Sequence, residues 1–221
     1  LERAGKLNSE LGGGSMTFLP IVETLEGDVT GYIPSNLISM TDGQIYLNSA
    51  LFSEGFKPAV DFNLSVSIVG NRVNNPILRQ LSSELRFEYA QYRQLSGLTR
   101  LKAGISKESE RKIRKGEIIT ELLIQDKNEL ISIEETIILL YALEHSVLDN
   151  LSDEKLKNFK KEIYGFILEF NFSLIKKLKE EKELTAGIMK ELDNCLSEFF
   201  QKSEERSQKT EMLHATGRTL K

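Results

Sequence analysis

The spacing of hydrophobic residues changes near residue 70, and this change divides the chain into a turn-rich first part and a helical second part. Residues 19–24, LPIVET, form a short apolar run, and residues 64–69, LSVSIV, alternate apolar side chains with serine. Both patterns are typical of strands, so we expect two strands in one buried sheet. Turn-forming residues recur between them, around Asp42-Gly43 and from Gly55 to Pro58, which indicates loops at a sheet edge where ligands and partners bind.

An amphipathic helix is predicted for residues 1–11, LERAGKLNSEL, because apolar residues recur there at three- and four-residue spacing. Three glycines at positions 12–14 follow and are expected to end it. The apolar spacing includes Leu1 itself, so we expect the first turns and the cap of this helix to lie upstream. The chain is therefore expected to be a piece of a longer or processed protein.

The second part reads as a series of helices. Pro76 suits the first turn of a helix over residues 76–98, and a second helix over residues 107–125 is expected to kink at Gly116. Ser132 and Ser152 begin capping signatures for helices over residues 133–151 and 153–181. A last helix covers residues 184–199. We expect an α+β protein in three parts, residues 1–75, a helical domain at 76–200 and a frayed tail at 201–221.

The composition narrows the range of possible functions. The 29 basic and 33 acidic residues give a net charge of −4 and are interspersed, so no broad basic face for nucleic acid is indicated. The single Cys195 has no partner for an internal disulfide, and its place in a helical run favours a small core residue in a reducing compartment over a reactive thiol. The longest apolar run, residues 137–143, is far shorter than the ~18 residues that cross a bilayer.

Motifs for catalysis are sparse. The sequence contains no GxxxxGK[ST], GxGxxG, HExxH or CxxC pattern, and neither His145 nor His214 has a second ligand or a nucleophile at useful spacing. Glu23 and Asp28 flank the first loop; a carboxylate pair for acid–base chemistry is one reading, and turn caps are the favoured one. The charged run at residues 107–115 reads as a solvated helix face, with docking of another subunit as the alternative.

Longer motifs carry a resemblance to a known family. LPIVETLEGDVTGYIPSNLISMTDGQIYL, ALFSEGFKPAVDFNLSVSIVG and ELRFEYAQYRQL occur in this order, after LERAGKLNSELGGGS. Together they strongly resemble the C-terminal half of the alpha subunits of F-type ATP synthases. The similarity continues through KGEIITELLIQ and EETIILLYAL and thins after about residue 151.

The resemblance implies a chain that holds the last strands of a RecA-like nucleotide-binding domain followed by an all-α helical bundle. In the family, such a subunit is regulatory and non-catalytic by itself, binds ATP or ADP with Mg²⁺, and completes the catalytic site of a neighbouring beta subunit. The phosphate loop of the family lies upstream of Leu1, so this fragment alone is expected to bind no nucleotide. Expected partners are beta subunits in an alternating ring, a central gamma-type stalk and a peripheral stalk subunit.

The same resemblance places the complex at an energy-transducing membrane, which is a bacterial plasma membrane on its cytoplasmic side, a mitochondrial inner membrane or a plastid thylakoid. The chain would meet this membrane only through the complex, and no nucleic acid partner is expected. The ring couples proton flow to ATP synthesis.

Five positions match functional positions of the family. Ser39 and Ile68 are expected to face the catalytic site of the adjoining beta subunit. The purine of the subunit's own nucleotide is expected near Lys57, Pro58 and Gln125.

Two departures from the family pattern change the expected chemistry. The family has arginine where this chain has Ile68, and that arginine stabilises charge on the transferring phosphoryl group. Its loss is expected to slow hydrolysis on the order of 10³- to 10⁵-fold. The family's IRP is FKP here, and Asp126-Lys127 follow Gln125; since lysine does not stack on a base as arginine does, looser binding of the nucleotide is expected.

Two functions remain open. The first is an alpha-type subunit that takes part in ATP synthesis and hydrolysis at interfaces with beta subunits. The second is a diverged, catalytically silent structural ring subunit of a specialised ATPase motor or scaffold, which Ile68 favours. The intact loops favour the first. We also expect the isolated 221-residue chain to associate or aggregate through an unpaired sheet edge.

Overall fold

The computed structural model describes residues 1–99 and 106–217, and their side chains except those of 71, 98–99, 204 and 206–217. The chain forms two units, Leu1–Val73 and Asn74–Lys221. The first contains short strand pairs and the second contains helices, in the order predicted for an α+β protein.

Two short antiparallel strand pairs organise the first unit. Strand β1 (Gly5–Lys6) pairs with β2 (Ser15–Met16), and β3 (Gly43–Gln44) pairs with β4 (Val66–Ser67). Helix α1 (Tyr32–Met40) precedes β3, and α2 (Ser49–Ser53) lies between β3 and β4. Short 3₁₀ turns occupy Ser9–Leu11, Leu25–Gly27 and Gly70–Arg72.

The helix predicted for residues 1–11 is wrong. The segment starts a hairpin instead, and the amide of Leu7 donates to the carbonyl of Gly14 at 2.8 Å. Gly12 and Gly13 have left-handed φ values of 98° and 65°, which suits them to the turn between β1 and β2. Eleven residues also make a marginal helix in water, so the apolar spacing does not decide the structure.

The buried two-strand sheet predicted from residues 19–24 and 64–69 is also wrong. The described residues at 17–24 form no strand, and of the second run only Val66 and Ser67 belong to one. Ile21 is 98% exposed and Ile68 is 72% exposed. Their apolar side chains therefore lie on the surface of the first unit rather than in a core.

The described residues of the second unit, 74–99 and 106–217, contain seven helices. They are α3 (Pro76–Leu81), α4 (Leu85–Thr99), α5 (Lys107–Leu123), α6 (Ile133–Glu144), α7 (Asp153–Phe170), α8 (Phe172–Glu180) and α9 (Ala186–Gly217). Helix α6 lies at the centre, since residues 137–143 are all buried and α3, α5, α7 and α8 contact it. The Tyr141 hydroxyl donates to Asp193 Oδ1 at 2.8 Å and joins α6 to α9.

Polar side chains begin and divide these helices. Ser132 Oγ accepts from the Glu135 amide at 3.1 Å and Ser152 Oγ from the Lys155 amide at 3.4 Å, which confirms both predicted starts. Asn171 ends α7 and its Oδ1 accepts from the Leu174 amide, so the helix predicted over 153–181 is two helices. Ser83 hydrogen-bonds the Gln80 carbonyl at the break between α3 and α4, where one helix was predicted.

The ends of two further helices differ from those predicted. Helix α6 ends at Glu144 rather than residue 151, because Ser146 takes a left-handed φ of 55°. Helix α9 continues to Gly217 through the segment predicted as a frayed tail. That segment is rich in Lys, Glu, Gln and Arg, which favour helix without supplying an apolar face.

The kink predicted at Gly116 is absent, because α5 is continuous through this residue. Gly116 is buried where α5 packs on α4, and a Cβ there would lie 2.0 Å from Cγ of Tyr92. The glycine therefore allows close packing of two helices. An ion pair beside it, Lys115 Nζ to Glu88 Oε1 at 2.5 Å, joins the same helices.

Gly116→Ala is expected to lower the free energy of unfolding by about 1–3 kcal/mol, because the added methyl group overlaps the Tyr92 ring. Gly165→Ala is the matched control: this helical glycine in α7 is exposed with no atom near its Cβ position, and the change is expected to raise stability by roughly 0.5–1 kcal/mol. Urea unfolding of both variants measures the difference. Equal stability of the two variants would contradict the packing role of Gly116.

Candidate functional site

Asp61 holds together the loops that connect α2 to the β3–β4 pair. Its Oδ2 accepts from Asn48 Nδ2 at 3.1 Å, and its Oδ1 accepts from the Asn63 amide at 2.9 Å. Asn48 in turn caps α2, because its Oδ1 accepts from the Ala50 amide at 2.8 Å. This side-chain network fixes the loop backbone where the strands themselves are only two residues long.

Ile68 follows directly on this strand pair. Its amide donates to the carbonyl of Asp42 at 2.8 Å, which extends the β3–β4 ladder by one bond. Gly43 permits this close pairing, since a Cβ there would lie 2.4 Å from the carbonyl oxygen of Val66. The backbone of Ile68 is therefore fixed while its aliphatic side chain is exposed and offers no hydrogen-bond donor.

Ser39 lies in the last turn of α1, three residues before Asp42. It is exposed, and its hydroxyl donates to the Asn36 carbonyl at 2.8 Å. Because α1 leads directly into β3, Ser39 and Ile68 belong to neighbouring segments of the same unit. Their expected place beside a catalytic site stays a prediction.

Lys57 and Pro58 lie in the loop after α2. The Lys57 ammonium is 4.7 Å from the centre of the Phe52 ring, a cation–π contact on the surface. The Pro58 carbonyl accepts from the Val60 amide at 2.8 Å, and both Lys57 and Pro58 are exposed. Their expected contact with a purine also stays a prediction.

Gln125 belongs to the second unit, in the loop between α5 and α6. Its Nε2 donates to the Glu129 carbonyl at 2.5 Å, and Glu129 Oε2 accepts from the Asp126 amide at 2.9 Å. Asn128 takes a left-handed φ of 68° within the turn. The loop therefore closes on itself, and the orientation of the Gln125 amide is set by it.

Sequence reasoning missed Lys160, which lies on α7 and holds this loop. Its ammonium donates to the carbonyls of Glu121 and Ile124 at the C-terminal end of α5. Burial lowers the pKa of Lys160, opposed by the nearby carboxylates of Glu129, Glu121, Asp126 and Glu135. The available signal was its position, since it follows Phe159 and lies four residues after Leu156 in the apolar stripe of α7.

Other candidate residues have structural surroundings. Asp28 is a turn cap, because its Oδ1 accepts from the Thr30 hydroxyl at 2.6 Å and the Thr30 amide at 2.8 Å. Cys195 is 1% exposed in the core, and burial raises the pKa of its thiol, which confirms the reading as a core residue. The His145 ring packs on the Tyr141 ring at the end of α6, tilted by 34° with ring centres 4.2 Å apart. The side chain of His214 lies outside the described residues.

Residues 1–99 and 106–217 contain no helix that combines the length and apolar character needed to cross a lipid bilayer. The described side chains also include no group of three or more His, Cys, Asp or Glu arranged to hold a metal ion.

Comparison with known proteins identifies the family. Residues 1–67 match the nucleotide-binding domain of the ATP synthase alpha/beta family, and residues 75–199 match the C-terminal domain of the ATP synthase alpha/beta chain. The chain belongs to the ATP synthase alpha/beta family. This order of domains confirms the predicted fold class, the end of a nucleotide-binding domain followed by a helical domain.

Within this family, similar curated proteins are named ATP synthase subunit alpha. The protein from Aquifex aeolicus (strain VF5) is 41% identical over 202 residues, which are 91% of this chain and 40% of the relative. That from Clostridium botulinum (strain Hall) is 42% identical over 199 residues, or 90% of this chain and 40% of the relative. The predicted resemblance is confirmed, and the chain spans about two fifths of the length of these relatives.

Thr30→Val is expected to raise the pKa of Asp28 toward its ordinary value, because the Thr30 hydroxyl is the largest cause that lowers it. The Thr30 amide still donates in the variant, so the pKa is expected to stay below that of a free aspartate. A carboxyl ¹³C NMR titration of wild type and variant measures the shift. An Asp28 pKa at or above 3.8 in the wild type would contradict its role as a turn cap.

Proposed function

We propose that this chain is the C-terminal part of an alpha-type subunit of the F-type proton-translocating ATP synthase. The observation that carries the proposal is the match of both domains in order, with 41% identity over 91% of the chain to a protein named ATP synthase subunit alpha. The subunit contributes to ATP synthesis and hydrolysis at interfaces with beta subunits and is not catalytic by itself. The nucleotide-binding part comprises residues 1–75 and the helical domain residues 76–200.

The surface of the first unit supports an assembled subunit. Leu19, Ile21, Leu25 and Tyr32 are each more than four-fifths exposed within fourteen residues of sequence. Large apolar side chains exposed this close together in the sequence favour contact with other protein. The proposed neighbours are the rest of this subunit and beta subunits of an alternating ring, with a central gamma-type stalk and a peripheral stalk subunit. The complex lies at an energy-transducing membrane.

The proposed nucleotide is ATP or ADP with Mg²⁺, bound by the full-length subunit. Two observations support a purine contact, one in each unit. In the first unit, Lys57 carries donors for base nitrogens and oxygens, and Pro58 beside it offers an apolar surface. In the second unit, the Gln125 side chain carries an amide donor and acceptor. Loops rather than a phosphate cradle supply these groups, so the phosphates and Mg²⁺ are assigned to the upstream part of the nucleotide-binding domain. The fragment alone is expected to bind no nucleotide.

Ile68 determines what the subunit contributes to catalysis in the adjoining beta subunit. An arginine in this position would place a guanidinium where charge grows on the transferring phosphoryl group. Isoleucine has no charge or donor, so the barrier to hydrolysis is expected to be higher by about 4 to 7 kcal/mol. This feature supports the second candidate, a catalytically silent structural ring subunit.

Ile68→Arg tests the choice between these functions. In the complete subunit assembled with its beta partner, the change is expected to raise ATPase activity about a hundredfold or more, since the backbone of residue 68 is already fixed by the Asp42 carbonyl. The measurement is steady-state ATP hydrolysis at equal assembly.

Val73→Arg is the matched control. It adds the same charge at another exposed aliphatic position of the first unit, 76% exposed, and is expected to leave activity unchanged. No rise in Ile68→Arg with assembly intact would favour the structural ring subunit. An equal rise in both variants would show a general effect of charge instead of an effect at position 68.

A further inference from the structure

Lys160 is the one charged side chain that is buried among the residues the structure describes, with 8% of its surface exposed. It lies on α7, yet its ammonium donates to the carbonyls of Glu121 and Ile124, which end α5. The last carbonyls of a helix have no partner within the helix and carry partial negative charge. A cation from a neighbouring helix therefore satisfies them and fixes where the following loop begins.

That loop, residues 124–130, has its own internal bonds. Gln125 Nε2 donates to the Glu129 carbonyl, and the Asp126 amide donates to Glu129 Oε2. These bonds give the loop a shape, but they do not attach it to the helical core. Lys160 supplies the attachment through the Ile124 carbonyl at the first residue of the loop.

Four carboxylates face Lys160, and they come from α5, from α6 and from the loop between these two helices. Glu121 lies on α5, Asp126 and Glu129 on the loop, and Glu135 on the first turn of α6. Burial raises the pKa of Glu135, and the positive charge of Lys160 opposes this shift. Lys160 on α7 therefore lies close to the end of α5, to the start of α6 and to the loop that joins them.

Stability alone does not account for this lysine. Its pKa is lowered with burial as the largest cause, so the ammonium is less favourable here than in water despite the acidic neighbours. Replacing Lys160 alone by an apolar residue leaves the carbonyls of Glu121 and Ile124 without this donor. What an apolar residue does not replace is the directed bond to the Ile124 carbonyl.

We propose that Lys160 is a positioning residue for the subunit's own nucleotide, which fixes loop 124–130 and thereby the Gln125 amide that meets the purine. The inference rests on the proposed function, which places Gln125 at the purine. Lys160 touches no ligand in this scheme. It acts through the end of α5 and determines how well the subunit distinguishes a purine nucleotide from its phosphates alone.

The test compares Lys160→Met with Lys161→Met in the complete subunit within its assembled complex. Both changes remove one positive charge from α7, and Lys161 is exposed, so it controls for charge. In Lys160→Met we expect amides of residues 125–129 to exchange with deuterium about tenfold faster or more, because the Ile124 carbonyl loses its donor. Lys161→Met is expected to leave exchange in the loop unchanged.

The binding readout uses ADP and inorganic pyrophosphate as probes of the subunit's own site. Lys160→Met is expected to weaken ADP binding about threefold to tenfold and to leave pyrophosphate binding unchanged, since the loop meets only the purine. Lys160→Arg keeps the charge and the donors and is expected to restore ADP binding. Failure of Lys160→Met to assemble, unchanged loop exchange, or equal loss of ADP binding in Lys160→Arg would overturn the proposal.

Gln125→Ala separates this inference from the proposed function. If Gln125→Ala weakens ADP binding and Lys160→Met does not, the positioning role is wrong and the purine role of Gln125 stands. If Gln125→Ala leaves ADP binding unchanged, the purine role of Gln125 fails, and the inference built on it fails with it.

Discussion

A helix that is apolar on all sides is stable only when other elements surround it, and α6 imposes this constraint on the second unit. Residues 137–143 are buried without interruption, so no face of this two-turn stretch of α6 is left for water. Helices α3, α5, α7 and α8 contact it, and the Tyr141 hydroxyl reaches Asp193 on α9. Burial of each large side chain contributes about 1.5–3 kcal/mol, so this one helix supplies much of the drive to fold the unit.

The arrangement around α6 also explains the polar contacts that appear at its edges. Arg114 on α5 donates to the Leu151 carbonyl and, at 3.0 Å, to Asp153 Oδ1, and so holds the turn that leads from α6 into α7. Lys160 performs the matching task at the other connection of α6, where the loop from α5 arrives. Both cations bind backbone carbonyls that loops leave without partners.

The first unit is held together by different interactions from the second. Its strands have two residues each, and side-chain bonds such as those of Asp61 hold its loops. Large apolar residues, among them Leu19 and Ile21, remain on its surface. This exposure is the observation behind the proposed contacts of the first unit with other subunits.

Local sequence signals correctly predicted those features of the helical unit in which a side chain bonds to nearby backbone. Ser132 and Ser152 cap helices as predicted, because capping involves residues three apart. The role of Gly116 was not predictable, since it depends on Tyr92 from another helix. Residues 1–11 show a related limit, because pairing with Ser15 and Met16, which lie outside the predicted helix, overrode a helical pattern.

The candidate site was predictable to a different degree. Long family motifs are the basis on which Ser39, Lys57, Pro58, Ile68 and Gln125 are proposed, and spacing or composition alone would not have selected them. Their roles stay predictions. The burial of Lys160 was not predicted, because a lysine near an apolar stripe usually extends its charge to water. Its burial depends on the end of α5, some 36 residues earlier in the chain, and that contact exists only in the folded unit.

Hydrogen exchange of the 221-residue chain alone and of the complete subunit in its complex tests most directly whether the two units differ in this way. Amides of α6 are expected to be strongly protected in both samples, because the core around it is complete within the second unit. Amides of residues 17–24 are expected to exchange rapidly in the chain alone and slowly in the complex. Equal, strong protection of residues 17–24 in both samples would contradict the account.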